Sequence, residues 1–256
     1  MRNPDREKVF RFKRFEVKNH LSAMKVGTDG VLLGAWALSG KTASPGSSLP
    51  EEPHTILDVG CGTGLIALMM AQRFPAASIS AVEIDRDAAA EATDNFRNSQ
   101  WSERLSLTIG DFSTEFPPEY NRRFDLIVSN PPFFTNGEIS PEQSRLMARH
   151  EKSLTLETLI ATSRRLLSPQ GALCLILPAD REDDLKFQAV SARMAITSLT
   201  RVTTVPSKPP RRILAELRDI SVCDFTSQAQ HLSIHDGKGG FTVEYSRLVT
   251  DFYLHF

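Results

Sequence analysis

Thr55-Ile56-Leu57-Asp58-Val59-Gly60-Cys61-Gly62-Thr63-Gly64, residues 55–64, is a run of β-branched and aliphatic side chains that breaks into alternating glycines. A helical pattern follows over 65–73, so the stretch reads as strand, tight turn, helix. Glycine lets the backbone turn sharply and approach a ligand with no Cβ in the way. The free amides at the start of the helix point at the same place. Outward from this unit the pattern repeats: strand-like runs at 55–59, 79–84, 105–109, 124–129 and 171–177 alternate with helical segments. The clearest helices are 88–98 and 154–167, the latter ended by Pro169 and Gly171. Such alternation predicts an α/β chain with a mostly parallel sheet and helices on both faces. The runs 196–205 and 213–222 are joined only by Pro206 to Pro210, too short for a helical crossover, and are expected to pair antiparallel.

In a doubly wound sheet the ligand sits at the carboxyl ends of the strands. Asp58 lies just before the end of the first strand, and Gly60, Gly62 and Gly64 form its turn. Glu83 closes the second strand, where an acceptor-only carboxylate suits the two hydroxyls of a ribose. Leu65 and Ile66 stand where a dinucleotide fingerprint has its third glycine, and no pyrophosphate cradle is evident. That favours S-adenosylmethionine over a nicotinamide dinucleotide. Asp111, after the third strand, is placed to accept from an adenine amino group, and Phe112 to pack on the adenine ring. Both also suit plain turn chemistry.

The fourth strand runs straight into Asn130-Pro131-Pro132-Phe133. Two prolines fix the backbone and donate nothing, so the Asn130 side chain and the Pro131 carbonyl stand as rigid acceptors for one NH2 group. An aromatic amine is a poor nucleophile because its lone pair is delocalised into the ring. Two acceptors on its hydrogens favour a tetrahedral nitrogen and free that pair for attack on a sulfonium methyl. Phe133 is a candidate to stack on the base, a contact worth about 1–3 kcal/mol. No strong general base is required, since in-line placement supplies much of the rate.

Other features carry less. Gly40-Lys41-Thr42 resembles the end of a P-loop, but the position five before Gly40 is Ala35 and the segment follows a helix. His231 and His235 are four apart without a carboxylate partner at ligand spacing, so they read as surface histidines and no metal is expected. Gly237-Lys238-Gly239-Gly240 reads as a hairpin or loop. The three cysteines, 61, 174 and 223, have no C-x-x-C spacing and read as reduced, small apolar residues.

The chain has 256 residues, 41% apolar and 24% charged, which suits one α/β domain with additions. No run approaches the ~18 apolar residues of a membrane helix, and residues 1–8 lack a secretory apolar stretch, so a cytoplasmic protein is expected. The formal net charge is −1, yet residues 1–30 carry eight Lys/Arg against four Asp/Glu, and 201–218 carry five against one. If Arg11, Lys13, Arg14, Arg211 and Arg212 hold RNA phosphates, binding will be strongly salt-dependent. Residues 13–18 carry an edge-strand pattern. Thr28 or Asp29 is expected to cap a helix over 31–38, and 39–54 is a mobile connection rich in Ser, Pro, Gly and Glu.

At this point the chain resembles the bacterial tRNA1(Val) adenine-37 N6-methyltransferases. The resemblance runs through 10–15, the specific block Met24-Lys25-Val26-Gly27-Thr28-Asp29-Gly30-Val31-Leu32-Leu33-Gly34-Ala35-Trp36, the glycine turn, Asn-Pro-Pro-Phe and the tail 245–254. It implies a Rossmann-like class I methyltransferase with a seven-stranded, mostly parallel sheet and an antiparallel final strand. It implies N6-methylation of an adenine beside the anticodon of a valine tRNA, on a base already unpaired; a monomer is expected. Residues 1–38 would then be an extension over the cofactor, with Lys25 and Thr28 as candidate contacts, 39–54 a flexible connection, and 55–256 the catalytic core. Asn-Pro-Pro-Phe is shared by guanine-N2 methyltransferases of ribosomal RNA, and a non-catalytic cofactor-binding module is the alternative outside the enzymes.

Overall fold

The structure, a computed structural model, describes residues 9–20, 26–39, 52–132, 154–223 and 229–255. Its strands and α-helices follow in chain order as β1 (Val9–Arg11), β2 (Glu16–Lys18), α1 (Thr28–Trp36), β3 (Thr55–Val59), α2 (Leu65–Arg73), β4 (Ser78–Glu83), α3 (Arg86–Arg97) and β5 (Leu105–Ile109). They continue as β6 (Phe124–Ser129), α4 (Leu156–Leu166), β7 (Leu167–Pro178), α5 (Glu182–Ser191), β8 (Met194–Thr203), β9 (Arg212–Asp219), β10 (Gln230–Ser233) and α6 (Val243–Val249).

Successive side chains of a strand point to opposite faces, and the central strands sort themselves accordingly. Ile56, Leu126, Val128, Cys174 and Ile176 join one core with α1 and α2, while Leu57, Ile127, Leu173, Leu175 and Leu177 join the other with α4 and α5. Helix α2 is buried from Leu65 to Ala71 because α1 covers the side that the sheet does not. The two helices approach closely at Gly34, where an added Cβ would lie 2.5 Å from the Met69 sulfur.

The sheet runs β10-β8-β9-β7-β6-β3-β4-β5. Strand β9 is antiparallel to β7 and β8, and the other neighbours pair parallel. The seven expected strands are present, antiparallel last one included. Among the described residues the count is corrected to eight by β10, a four-residue strand at the edge whose half-polar sequence carries little pattern. The chain steps outward from β3 to β4 to β5, then returns to β6 on the other side of β3, so the strand order reverses between β3 and β6. Ligands bind at such a switch point in open α/β sheets.

Three local readings are corrected. Pro169 and Gly171 do not stop the preceding helix, which ends at Leu166; they lie in a bulge of β7, between the pairs Phe124↔Leu167 and Leu126↔Ala172, where a proline takes no ladder bond from the sheet. Thr28 and Asp29 are the first residues of α1 and do not cap it; Gly27 holds the cap position, and the Asp29 carboxylate meets Arg212. The edge pattern at 13–18 narrows to β2, which pairs with β1 in a separate two-stranded sheet. His231 lies in β10 and His235 bridges to Phe241. Most of the 39–54 connection lies outside the described residues. Among the described residues no helix is long and apolar enough to cross a membrane.

Candidate active site

At the carboxyl ends of β3 and β6, where the strand order reverses, lies a cavity of about 390 Å³. Gly60, Cys61, Gly62 and Thr63 form one wall, and Asn130, Pro131 and Pro132 another. The segment 26–30 and the ends of β7 and β9, Pro178 and Arg212, complete it. The two motifs are held in register because Ser129 Oγ donates to the Val59 carbonyl at 2.8 Å, directly before both turns. The glycine turn is fixed from its other side. Gly60 and Cys61 amides donate to Val82 O at 2.9 and 3.2 Å, and Gly60, Gly62 and Gly64 all have positive φ, +67°, +55° and +79°.

Two carboxylates organise the turn. Glu83, nearly buried, accepts from the Gly62 amide at 2.8 Å and from the Asp85 amide at 2.9 Å. Each of its oxygens keeps a second lone pair for a ligand hydroxyl. Asp58 is fully buried beneath the turn and does not border the cavity. Its Oδ2 accepts from the Ala67 amide at 2.9 Å, while Oδ1 has no partner within the protein. Burial first, and the Glu83 charge next, push its acid up from 3.8 to about 7 against the pull of the Ala67 amide.

A raised carboxyl pKa makes the folded protein bind a proton that the unfolded chain releases, so stability falls as pH rises from 3.8 to about 7. Asp58→Asn removes that titration and keeps an acceptor for Ala67. The stability of the variant relative to the parent is expected to climb by a few kcal/mol, on the order of 1.4 per pH unit, across that window and then level off. Urea midpoints measured from pH 4 to 8 check it; a constant offset between the two proteins would count against the buried acid.

The sequence-derived candidates separate into three groups. Gly60, Gly62, Thr28, Asn130, Pro131 and Pro132 line the cavity, whereas Gly64, Asp58 and Glu83 support its glycine wall from behind. Asp111 is engaged in its own turn, accepting from the Ser113 amide and hydroxyl, and Phe112 is buried edge-on to Phe116 in the α4–α5 core. Lys25 and Phe133 lie outside the described residues. Cys61 reaches the cavity as a wall group: burial, with Asp58 and Glu83 adding to it, pushes its thiol well above the usual range and keeps it protonated.

Sequence reasoning missed several supports. Asp29 and Arg212 form an ion pair at 2.7 Å on the cavity rim, although Arg212 reads in the sequence as a free phosphate contact. Buried Asn95 accepts from the Lys18 amide and donates to the Thr63 carbonyl, both at 2.9 Å, tying β2 to the glycine turn. Other cations of the basic segments have partners of their own: Arg201 on Glu182, Arg218 on Glu216, Arg11 on Glu16, and Arg14 over the Trp101 ring.

Residues 46–190 match the family model described as the methyltransferase small domain. A protein of Porphyromonas gingivalis named tRNA1(Val) (adenine(37)-N6)-methyltransferase is 46% identical over 248 residues, covering 96% of this chain and 94% of its own. A protein of the same name from Parabacteroides distasonis is 39% identical over 254 residues, covering 99% of each. Among solved structures, a predicted O-methyltransferase from Agrobacterium tumefaciens superposes with a TM-score of 0.66 at 19% identity, over 87% of this chain and 96% of that one. That likeness speaks to the fold alone.

Proposed function

The chain belongs to the tRNA1(Val) (adenine(37)-N6)-methyltransferases of the methyltransferase small-domain family, and from that premise we propose that it moves a methyl group from S-adenosylmethionine to N6 of adenine 37 in a valine tRNA. One observation carries the reading for this chain: the glycine turn and Asn130-Pro131-Pro132 border the same cavity at the sheet's switch point. The residues suit the cofactor. An ideal Cβ at Gly60 would meet nothing within 4 Å, so the turn presents bare backbone to an open space. Behind it stands the Glu83 carboxylate, an acceptor-only group suited to sugar hydroxyls.

When bound, S-adenosylmethionine supplies an electrophilic methyl on a sulfonium. Gly60, Gly62 and Thr28 would border it and Glu83 would take its ribose hydroxyls, with Lys25, Asp111 and Phe112 as further contacts. The chain's own contribution to the reaction is positioning and polarisation. The Asn130 side-chain oxygen and the Pro131 carbonyl accept the two hydrogens of the adenine amine, localising its lone pair on nitrogen. Phe133 stacks on the base. Pro131 and Pro132 keep both acceptors in place because neither φ can vary. The amine proton leaves after the methyl is on nitrogen, when the group is strongly acidic, so a weak acceptor suffices. Residues 1–38 serve as the extension over the cofactor, a reading supported by the placement of 26–30 on the cavity wall.

Incubating the protein with labelled S-adenosylmethionine and tRNA lacking the modification, then digesting to nucleosides, is expected to yield N6-methyladenosine at position 37. Label recovered as N2-methylguanosine in ribosomal RNA would favour the guanine reading instead. Absence of transfer to any RNA, with cofactor bound, would favour a non-catalytic module.

A further inference from the structure

Strand directions place one loop at the mouth of the cavity. Strand β8 runs parallel to β7, because both are antiparallel to β9, so its carboxyl end lies on the same edge as those of β3, β6 and β7. The loop that follows, residues 204–211, rises from that edge. Register fixes how near it stands. Pro178, on the cavity wall, is opposite Arg212, and Arg212 is opposite Val202. Arg212 itself borders the cavity and Arg211 directly precedes it, so the loop begins where the cavity wall ends.

The loop backbone is pinned at both ends. The Arg211 amide donates to the Val202 carbonyl at 2.8 Å, and the Arg211 carbonyl accepts from the Ala179 amide at 3.1 Å and from Arg212 Nη1 at 3.0 Å. At the tip the Lys208 amide donates to the Val205 carbonyl at 3.0 Å, closing a turn with Pro206 in its second position, where a preset φ is favourable. Pro209 and Pro210 fix φ along the return. On this stiff frame Lys208 and Arg211 are both exposed. Glu182, Asp29 and Glu216 hold Arg201, Arg212 and Arg218 of the same basic segment, whereas Lys208 and Arg211 have no ionic partner among the described residues. Two acids share the edge: Asp236 accepts from the Lys238 and Gly240 amides, and Asp180, two residues past Pro178, forms no ion pair with either cation.

The amino-terminal basic cluster lies elsewhere. Arg14 sits over the Trp101 ring, 5.7 Å from its centroid, and its carbonyl accepts from Gln100 Nε2. Trp101 stands between the end of α3 and the start of β5, at the amino edge of the sheet. Helix α3 begins at the carboxyl edge, and its 12 residues carry the chain about 18 Å away from the cavity side. Arg11 pairs with Glu16 in the same hairpin as Arg14. We propose, building on the methyltransferase reading above, that the 204–211 loop is the RNA-backbone contact of this protein. Lys208 and Arg211 hold phosphates of the strand whose adenine enters the cavity, and Arg11 and Arg14 take no part. Phosphate contacts of this kind set register and orientation without reading sequence. A loop stiffened by three prolines loses little freedom when it binds, so more of the electrostatic gain is kept.

The test measures binding of unmodified valine tRNA to the full chain across a salt series. Lys208→Ala combined with Arg211→Ala is expected to flatten the slope of log affinity against log salt by about 1.4, at ~0.7 per phosphate contact on a single strand. At about 0.15 M salt that difference corresponds to roughly tenfold weaker binding, read also as a tenfold rise in the KM for tRNA. Calorimetric affinity for S-adenosylhomocysteine and kcat at saturating tRNA are expected to hold. Lys208→Arg combined with Arg211→Lys, which keeps both charges, is expected to retain the parent's slope, as is Arg11→Ala combined with Arg14→Ala. An unchanged slope in the Lys208 and Arg211 alanine variant, an equal flattening in the Arg11 and Arg14 variant, or a matching loss of cofactor affinity would each overturn the loop's role. Failure of the parent itself to methylate tRNA would instead strike the underlying functional reading.

Discussion

Asn130→Ala is expected to lower single-turnover methylation about a thousandfold while the protein keeps its fold and its affinity for S-adenosylhomocysteine. Removing one preorganised hydrogen-bonding group aimed at developing charge costs about 10²–10³ in rate, and in the proposed arrangement two acceptors act on one nitrogen. Losing one of them also loses the geometry that frees the lone pair, which places the effect at the upper end. Asn130 borders the cavity between buried Ser129 and the rigid Pro131, so truncation at Cβ leaves the strand and its Ser129–Val59 bond in place. Asn130→Asp serves as comparator because it retains an acceptor, and it is expected to keep measurably more activity than the alanine variant. A rate within tenfold of the parent in Asn130→Ala would remove this side chain from the chemistry.

Gly64→Ala is expected to be the most damaging single methyl addition in the glycine turn. The residue has φ +79°, and an ideal Cβ would lie 2.4 Å from the Phe96 ring. The left-handed conformation costs about 1–2 kcal/mol for an alanine, and forcing a methyl against a packed ring adds about 1–3. At ~2–4 °C per kcal/mol the melting temperature is expected to fall by roughly 10 °C, with cofactor affinity lost as the turn shifts. Gly60→Ala separates the two causes: its φ is +67° but nothing lies within 4 Å of the added carbon, so it is expected to lose only the conformational part. Phe96→Leu in the Gly64→Ala background is expected to recover stability, a coupling that a double-mutant cycle reads directly. Equal melting temperatures for the two alanine variants would rule out the ring contact.

The residues legible in the sequence were those whose function depends on backbone. The turn at 60–64 needs positive φ three times and therefore shows as three glycines, and the proposed acceptor frame at 130–132 needs fixed φ and shows as two prolines. Helix 65–73 was readable to the residue, because a capping glycine precedes an apolar run. What escaped was anything decided by long-range pairing. Strand β10 owes its existence to β8, and the basic residues at 201–218 look free until the fold brings Glu182, Asp29 and Glu216 to them. Asp111 and Phe112 are a mixed case: the loop is where the strand pattern puts it, but its side chains are committed to Ser113 and Phe116.

The ion pair between Asp29 and Arg212 joins positions 183 residues apart. Synthesis proceeds from the amino terminus, so α1 leaves the ribosome long before β9 exists to answer it. Until then the chain has its glycine bend and its paired prolines but no far rim on which to close the pocket. Bringing such distant partners together carries a loop-closure cost that grows slowly with length, and it is met only when the antiparallel strand slots into the sheet. Nascent fragments ending before residue 212 therefore lack the Arg212 side of the cavity wall.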